Sequence, residues 1–355
     1  MNLPIPLDYL PMEADSVSEM PVGTEWQYEP KWDGFRSLCF RDGQRVEIRS
    51  KAGEDLARYF PEVVAVLASL SAQKFVLDGE LVVAREGVLS FDDLLQRIHP
   101  AASRINRLSV ETPARLIVFD LLVDGHGTDL TKLPLHQRRS ALENFAATCL
   151  QGNESIYLSP ATPDIDEARQ WFHDMAGGLD GIVAKQIDAP YESGHRTGML
   201  KIKNLRTADC VVGGFRYGQK TKVVGSLLLG LYDDSGLLHH VGFTSGLAAA
   251  EKRDLTVRLE ALIRAPGFTG KAPGGLSRWS TERSAEWQPL DPVLVVEVRY
   301  DHYTGGRFRH GTKIVRWRAD KKPAQCRMSQ LEKDSRSPLD LLETKKKGTD
   351  NKPED

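Results

Sequence analysis

Lys31 lies in Tyr28-Glu29-Pro30-Lys31-Trp32-Asp33-Gly34-Phe35-Arg36, where an apolar strand ends beside a carboxylate, a glycine and an arginine. A protonated lysine is a poor nucleophile; burial or neighbouring cations make it a good one. Attack by such an amine on the α-phosphorus of a nucleotide gives a lysyl–NMP phosphoramidate. On that reading Gly34 lets backbone or phosphate come close. Asp33 holds a metal or orients the amine, and Arg36 neutralises phosphate. Taken alone, K-x-D-G-x-R fits a charged turn between two strands equally well.

Later segments add what the chemistry needs. Leu77-Asp78-Gly79-Glu80-Leu81-Val82 buries Glu80 in an apolar strand, where a carboxylate must meet a cation, a metal or a hydroxyl. Val118-Phe119-Asp120-Leu121-Leu122 offers an aromatic face for stacking a base, although a lone Phe is more commonly plain core. Asp180-Gly181-Ile182-Val183-Ala184-Lys185 puts a carboxylate and a lysine at the two ends of a strand. Leu200-Lys201-Ile202-Lys203 alternates, so both lysines share one strand face and repel unless an anion sits there. Arg316-Trp317-Arg318-Ala319-Asp320-Lys321 is a last basic cluster. Together these supply a lysine nucleophile, a stacking aromatic and phosphate-binding lysines. Asp33, Glu80 and Asp180 are the carboxylates available to a Mg²⁺-type ion, which takes its remaining ligands from phosphate and water.

Strand and helix signals alternate through the first 200 residues. Residues 26–31, 35–41 and 46–49 read as strands, with Asp42-Gly43 as a hairpin turn. Residues 75–84, 115–123, 181–185 and 199–203 are further strands, and 61–70, 91–98, 134–150 and 163–175 are helices. This predicts an α+β domain with largely antiparallel sheets over residues 1–204. Strands at 210–215, 226–232, 237–244 and 293–300, with a helix near 247–263, predict a small Greek-key barrel of the OB-fold type over 205–333. Residues 334–355 are polar, with Lys345-Lys346-Lys347, and read as a disordered tail.

The whole chain has a net charge of −2, from 47 basic and 49 acidic residues, which taken alone argues against a polyanion partner. The distribution argues the other way. Residues 196–222 carry seven basic residues against Asp209, and 299–322 carry eight against Asp301 and Asp320. No apolar run approaches a membrane span, and the N-terminus lacks the basic start and apolar core of a secretory signal. Cys39, Cys149, Cys210 and Cys326 form no C-x-x-C pair, which disfavours structural zinc and suits a reduced cytosol. Gly306-Arg307-Phe308-Arg309-His310-Gly311-Thr312-Lys313 has Thr and Lys in the wrong order for a P-loop, and His239-His240 lacks a third metal ligand.

The ordered set of segments resembles the ATP-dependent DNA ligases. It resembles most the short bacterial ligase C, which is related to the ligase domain of the end-joining ligase D. Further shared segments are Arg58-Tyr59-Phe60-Pro61-Glu62, Arg206-Thr207-Ala208-Asp209-Cys210 and Pro273-Gly274-Gly275-Leu276-Ser277-Arg278-Trp279. The resemblance covers residues 26–330 and implies a nucleotidyltransferase domain followed by an OB domain. It implies that Lys31 carries AMP, that Glu29 accepts from the adenine amino group and that Phe119 stacks on adenine. Arg36 and Glu80 would lie near ribose and phosphates, Glu80 and Asp180 at a metal, and Lys201 and Lys203 at the α-phosphate. Lys185 belongs to the same nucleotide-binding set, and Arg318, Asp320 and Lys321 would orient the departing pyrophosphate. The family's Ser-Arg-x-Gly element reads Ser50-Lys51-Ala52-Gly53 here, so Lys51 keeps the charge without arginine's fork, unless Arg49 substitutes. Asp180 stands where many relatives carry Glu. The implied cofactors are ATP, as AMP donor, and Mg²⁺ or Mn²⁺. The implied partners are nicked double-stranded DNA and recruiting repair proteins, for a monomer in the cytoplasm at the nucleoid. An RNA ligase or a GTP-using capping enzyme shares the lysine logic, and a relic nucleic-acid-binding OB protein is the non-catalytic alternative.

Overall fold

This computed structural model describes residues 1–85, 87–175, 178–219, 221–274, 286–331 and 336–342. The chain divides into two units, Met1–Asn204 with Ser335–Asp355, and Leu205–Asp334.

In the first unit the strands are β1 (Asp15–Val17), β2 (Trp26–Lys31), β3 (Phe35–Asp42), β4 (Arg45–Ser50), β5 (Lys74–Arg85), β6 (Val88–Leu89), β7 (Ala114–Val123), β8 (Ile156–Leu158), β9 (Gly181–Gln186) and β10 (Met199–Lys203). The helices are α1 (Pro61–Ser69), α2 (Phe91–Gln96), α3 (Ala102–Glu111), α4 (Leu135–Cys149) and α5 (Ile165–Asp174). One sheet runs β1-β10-β9-β2 and the other β4-β3-β5-β7-β8, with β6 on β5. Both are antiparallel except for β1 with β10 and β7 with β8, so the sheets are mixed. Apolar residues on β3, β5 and β7 are fully buried under α1 and α4, through Phe75, Leu77, Val63, Leu67 and Leu142. Proline opens α1 at its first helical position, where its missing N–H is no loss.

The expectation of a disordered tail fails for residues 336–342. Leu339 and Leu342 are 8% exposed and join the apolar cluster of Trp32, Phe119, Met175 and Leu179. Arg336 N–H donates to Asp174 O at 3.2 Å, and the Ser337 hydroxyl donates to Gly87 O. A Cβ on Gly178 would come within 2.5 Å of the Pro338 ring, so this seat requires glycine. Residues 343–355, including the lysine run, lie outside the described residues.

The second unit contains β11 (Arg206–Tyr217), β12 (Val224–Tyr232), β13 (Leu238–Thr244), β14 (Gln288–Pro289), β15 (Val295–Tyr300), β16 (Tyr303–Thr304), β17 (Arg307–Phe308) and β18 (Lys313–Trp317), with α6 (Lys252–Glu260). Its sheet runs β13-β12-β11-β15-β18, antiparallel throughout, with β14 on β11. The expected barrel is not closed among the described residues. Its edge strands share no ladder and meet at one bridge, Thr244 with Thr312, where Thr312 N–H donates to Phe243 O at 3.0 Å. The segment read as a false P-loop holds β17, the second strand of the small β16–β17 hairpin, and runs into β18, not into a helix. No described helix is long and apolar enough to cross a membrane. All four cysteines are free thiols.

Candidate active site

A cavity of about 730 Å³ opens in the first unit, lined by side chains from β2, β3, β4, β5, β7, β9 and β10. Strand periodicity puts them there. On β2, Glu29 and Lys31 share a face, and the ladder sets Glu29 opposite Val183 and Val183 opposite Lys201. Phe119 arrives differently. Asp78 pairs with Asp120 but Gly79 pairs with Val118, so Phe119 is the extra residue of a β-bulge, and a bulge re-aims a side chain.

In the cavity wall a buried ion pair joins Lys185 Nζ to Glu29 Oε2 at 2.7 Å, and the Gln27 amide donates to the other Glu29 oxygen at 2.8 Å. Lys185 Nζ lies 4.8 Å and Arg36 Cζ 4.5 Å from the centre of the Phe119 ring. Arg36 forks onto the fully buried Asp78 at 2.5 and 2.6 Å, and the Tyr191 hydroxyl donates to the same carboxylate at 2.6 Å. Burial opposes the Arg36 charge, but the Asp78 carboxylate more than offsets it and holds the guanidinium charged.

Further cations line the same cavity. Lys31 Nζ forms an ion pair with Asp180, while Asp180 N–H donates to Lys31 O at 3.1 Å. Lys201 Nζ donates to Ala14 O at 2.8 Å. Its ammonium is pushed below the usual lysine range by burial first, then by the charges of Lys51, Lys31 and Arg196. Lys51 and Arg196 converge on Glu13, at 2.9 and 3.1 Å. Glu80 accepts from Gly34 N–H at 3.1 Å, and a Cβ on Gly34 would lie 2.0 Å from Leu81 O. Burial pushes Glu80 up to about 7, with Lys31 and Arg36 pulling down and Asp33 and Asp78 pushing up.

The cavity gathers Glu29, Lys31, Arg36, Lys51, Glu80, Phe119, Lys185 and Lys201. Asp180 reaches it through Lys31, and Asp33 through its field on Glu80. Lys203 shares the β10 face of Lys201 but is not among the lining residues. Asp33, Glu80 and Asp180 do not form a ready-made cage: among the described residues no three His, Cys, Asp or Glu gather as metal ligands. Arg49 is no substitute for Lys51, because it pairs with Glu47 at 2.9 Å and does not line the cavity. Arg318, Asp320 and Lys321 lie in the second unit. There Asp209 collects Arg318 at 3.0 Å and Lys321 at 2.6 Å, while Asp320 pairs with Arg318 at 2.8 Å. Sequence reasoning missed Glu13 and Tyr191, which no local pattern flags, and had Arg196 only as one of the basic residues of 196–222. The bulge at Phe119 had one signal, Gly79 inside a strand.

Fold and cavity together define a nucleotidyltransferase. The ATP dependent DNA ligase domain family matches residues 11–203, and the ATP dependent DNA ligase C terminal region matches residues 220–321. DNA ligase C2 of Mycolicibacterium smegmatis and DNA ligase C of Mycobacterium tuberculosis are each 42% identical over 348 residues, covering 94% of this chain and 96% of theirs. The multifunctional non-homologous end joining protein LigD of Mycobacterium bovis is 31% identical over 311 residues, 85% of this chain and 37% of that protein. The chain belongs to the ATP-dependent DNA ligases.

Proposed function

We propose that Lys31 is the residue with which this ligase takes AMP from ATP, and that its substrate is a 5′-phosphate/3′-hydroxyl nick in duplex DNA. The observation that carries the reading is that one cavity gathers a lysine paired with a carboxylate, further cations and an aromatic ring. The same cavity is lined by Lys31, which pairs with Asp180, by the cations Lys51 and Lys201, by the buried Glu29–Lys185 pair and by Phe119. On this reading a nucleotide sits in the cavity with its phosphates at Lys31. Phe119 then stacks on adenine and Glu29 accepts from its amino group.

Lys31 passes a proton to the Asp180 carboxylate beside it. Its lone pair forms the N–P bond, and the bond from α-phosphorus to pyrophosphate breaks. Lys201 and Lys203 balance the α-phosphate charge, and Arg318, Asp320 and Lys321 of the second, OB-type unit orient the leaving pyrophosphate. The nick's 5′-phosphate next attacks the lysyl-AMP phosphorus and releases Lys31. The 3′-hydroxyl then attacks the DNA adenylate and expels AMP.

Glu80 and Asp33 suit Mg²⁺ or Mn²⁺, because a carboxyl held up to about 7 by burial gains from a divalent cation beside it. Such an ion would neutralise phosphate charge. The basic runs at 196–222 and 299–322 would grip the DNA backbone, so binding is sequence-blind and salt-sensitive. The name of the LigD relative supports a repair role, with a recruiting partner, for a monomer at the nucleoid. Incubation with α-labelled ATP tests the chemistry. The parent protein gains label and Lys31→Ala does not; equal labelling of the two sinks the mechanism. ATP against GTP, and nicked DNA against nicked RNA, separate a DNA ligase from its nearest chemical relatives.

A further inference from the structure

The 336–342 segment packs against the chain neighbours of the Lys31–Asp180 pair. Leu339 and Leu342 share one buried apolar cluster with Trp32, Met175 and Leu179. Trp32 follows Lys31 in the chain, and Leu179 precedes Asp180. Both are enclosed, at 3% and 2% exposed. The backbones of the pair are joined as well. Asp180 N–H donates to Lys31 O at 3.1 Å, and Lys31 pairs with Gly181 in the β2–β9 ladder. The Trp32 indole N–H donates to the fully buried Ser159 hydroxyl at 2.9 Å. That bond fixes one edge of the indole, and apolar packing must fix the rest. Gly178 and Leu179 N–H both donate to Met175 O, at 2.9 and 3.0 Å, and the Pro338 ring comes so close to Gly178 that a Cβ there would meet it at 2.5 Å. The segment therefore bears on both peptides that present the amine and the carboxylate to each other. None of residues 336–342 lines the cavity, so any effect on the reaction passes through position alone.

We propose that Leu339 and Leu342 are positioning residues for lysine adenylation: packed against Trp32 and Leu179, they hold the Lys31 amine and the Asp180 carboxylate where attack on the α-phosphorus needs them. The inference rests on the proposed role of Lys31. Close-packed interiors transmit displacement, and a truncated leucine leaves a cavity that its neighbours fill only in part. A shift of Trp32 or Leu179 is passed through one peptide bond to Lys31 or Asp180. Misplacing reacting atoms by about 1 Å costs about a hundredfold in rate, so partial relaxation costs about tenfold. Phe119 belongs to the same cluster, but Arg36 and Lys185 stand over its ring, and carboxylates pin both cations. Its hold on the base is expected to survive.

Single-turnover labelling of the full chain with α-labelled ATP tests this, at a temperature where circular dichroism shows parent and variants fully folded. Leu339→Ala and Leu342→Ala form lysyl-AMP about tenfold more slowly at saturating ATP. The half-saturating ATP concentration changes less than about twofold, because the nucleotide's own contacts are intact. Sealing of a pre-adenylated nick keeps the parent rate, since Lys31 is not the nucleophile there. Should an alanine variant fail to fold, Leu339→Val and Leu342→Val make the same comparison at smaller amplitude. The proposal is overturned if the variants lose stability yet label at the parent rate while folded. It is also overturned if labelling, half-saturation and sealing worsen together, which would mean a general loosening of the unit. Equal labelling of the parent and Lys31→Ala, run alongside, is a separate failure and strikes the adenylation reading instead.

Discussion

Lys185→Met isolates the worth of the buried pair in the cavity wall. The side chains of Lys185 and Glu29 are 6% and 3% exposed and lie 2.7 Å apart. Methionine keeps most of the lysine stem but leaves the Glu29 carboxylate buried beside the Gln27 amide, without its cation. Breaking such a pair by removing one partner costs about 3–5 kcal/mol. A stranded carboxylate has an escape, which is to take up a proton. For an ordinary glutamate that costs about 4 kcal/mol at pH 7 and about 1 kcal/mol at pH 5. The destabilisation is therefore capped near 4 kcal/mol at pH 7 and shrinks towards 1 kcal/mol at pH 5. Urea unfolding of parent and variant at the two pH values measures it. Glu29→Gln combined with Lys185→Met is neutral at both ends and recovers most of the loss at pH 7. An equal loss at both pH values would refute the argument, since it would assign the cost to packing and not to a stranded charge.

Glu80 sets a second pH dependence. Its carboxyl, raised to about 7, keeps its proton while the unfolded chain's is lost near the ordinary value, so it costs the fold stability as pH rises from about 4.5 through 7. A metal must displace that proton, so the Mn²⁺ concentration that half-saturates enzyme–AMP formation falls about fivefold from pH 6 to pH 7 and about twofold from 7 to 8. The same slope in Glu80→Asn argues against it. Phe119→Ala weakens ATP by about 1–3 kcal/mol in equilibrium binding and leaves pyrophosphate unchanged. Leu339→Ala removes a side chain that is 8% exposed and costs about 2–3 kcal/mol in thermal unfolding. Gly178→Ala, whose Cβ meets the Pro338 ring, should be similarly destabilising; a neutral result for both means the 336–342 seat contributes nothing.

The strands that carry the cavity were legible because period-2 alternation is local. Lys201 and Lys203 were expected on one face, and they share one. The polar partners were not legible. Glu13 and Arg196 are 183 residues apart in sequence, and the Glu13–His195 backbone bond and the parallel seating of β1 on β10 bring them together. Helix α3 went unseen because only Ile105 and Leu108 of it are buried and no side chain caps its start. Strand signals reported the strands of the second unit, while closure depends on whether two distant edges share a ladder, which is no local property. Residues 336–342 were hidden by composition, since three leucines were averaged into a polar tail.

Those leucines change what the two units are to each other as lengths of chain. The second unit, Leu205–Asp334, is an insertion, because the chain leaves the first unit after Asn204 and its 336–342 segment is built into that same unit. A single cut at either junction would not free it. Severed after Asn204, it stays held by the seated leucines; severed near 332–335, it stays held by its own peptide bond. Separation needs both cuts, or one cut and the melting of the seat. A fragment ending at Asn204 is correspondingly an unfinished unit, with an uncovered apolar hole beside Trp32, the residue next to Lys31.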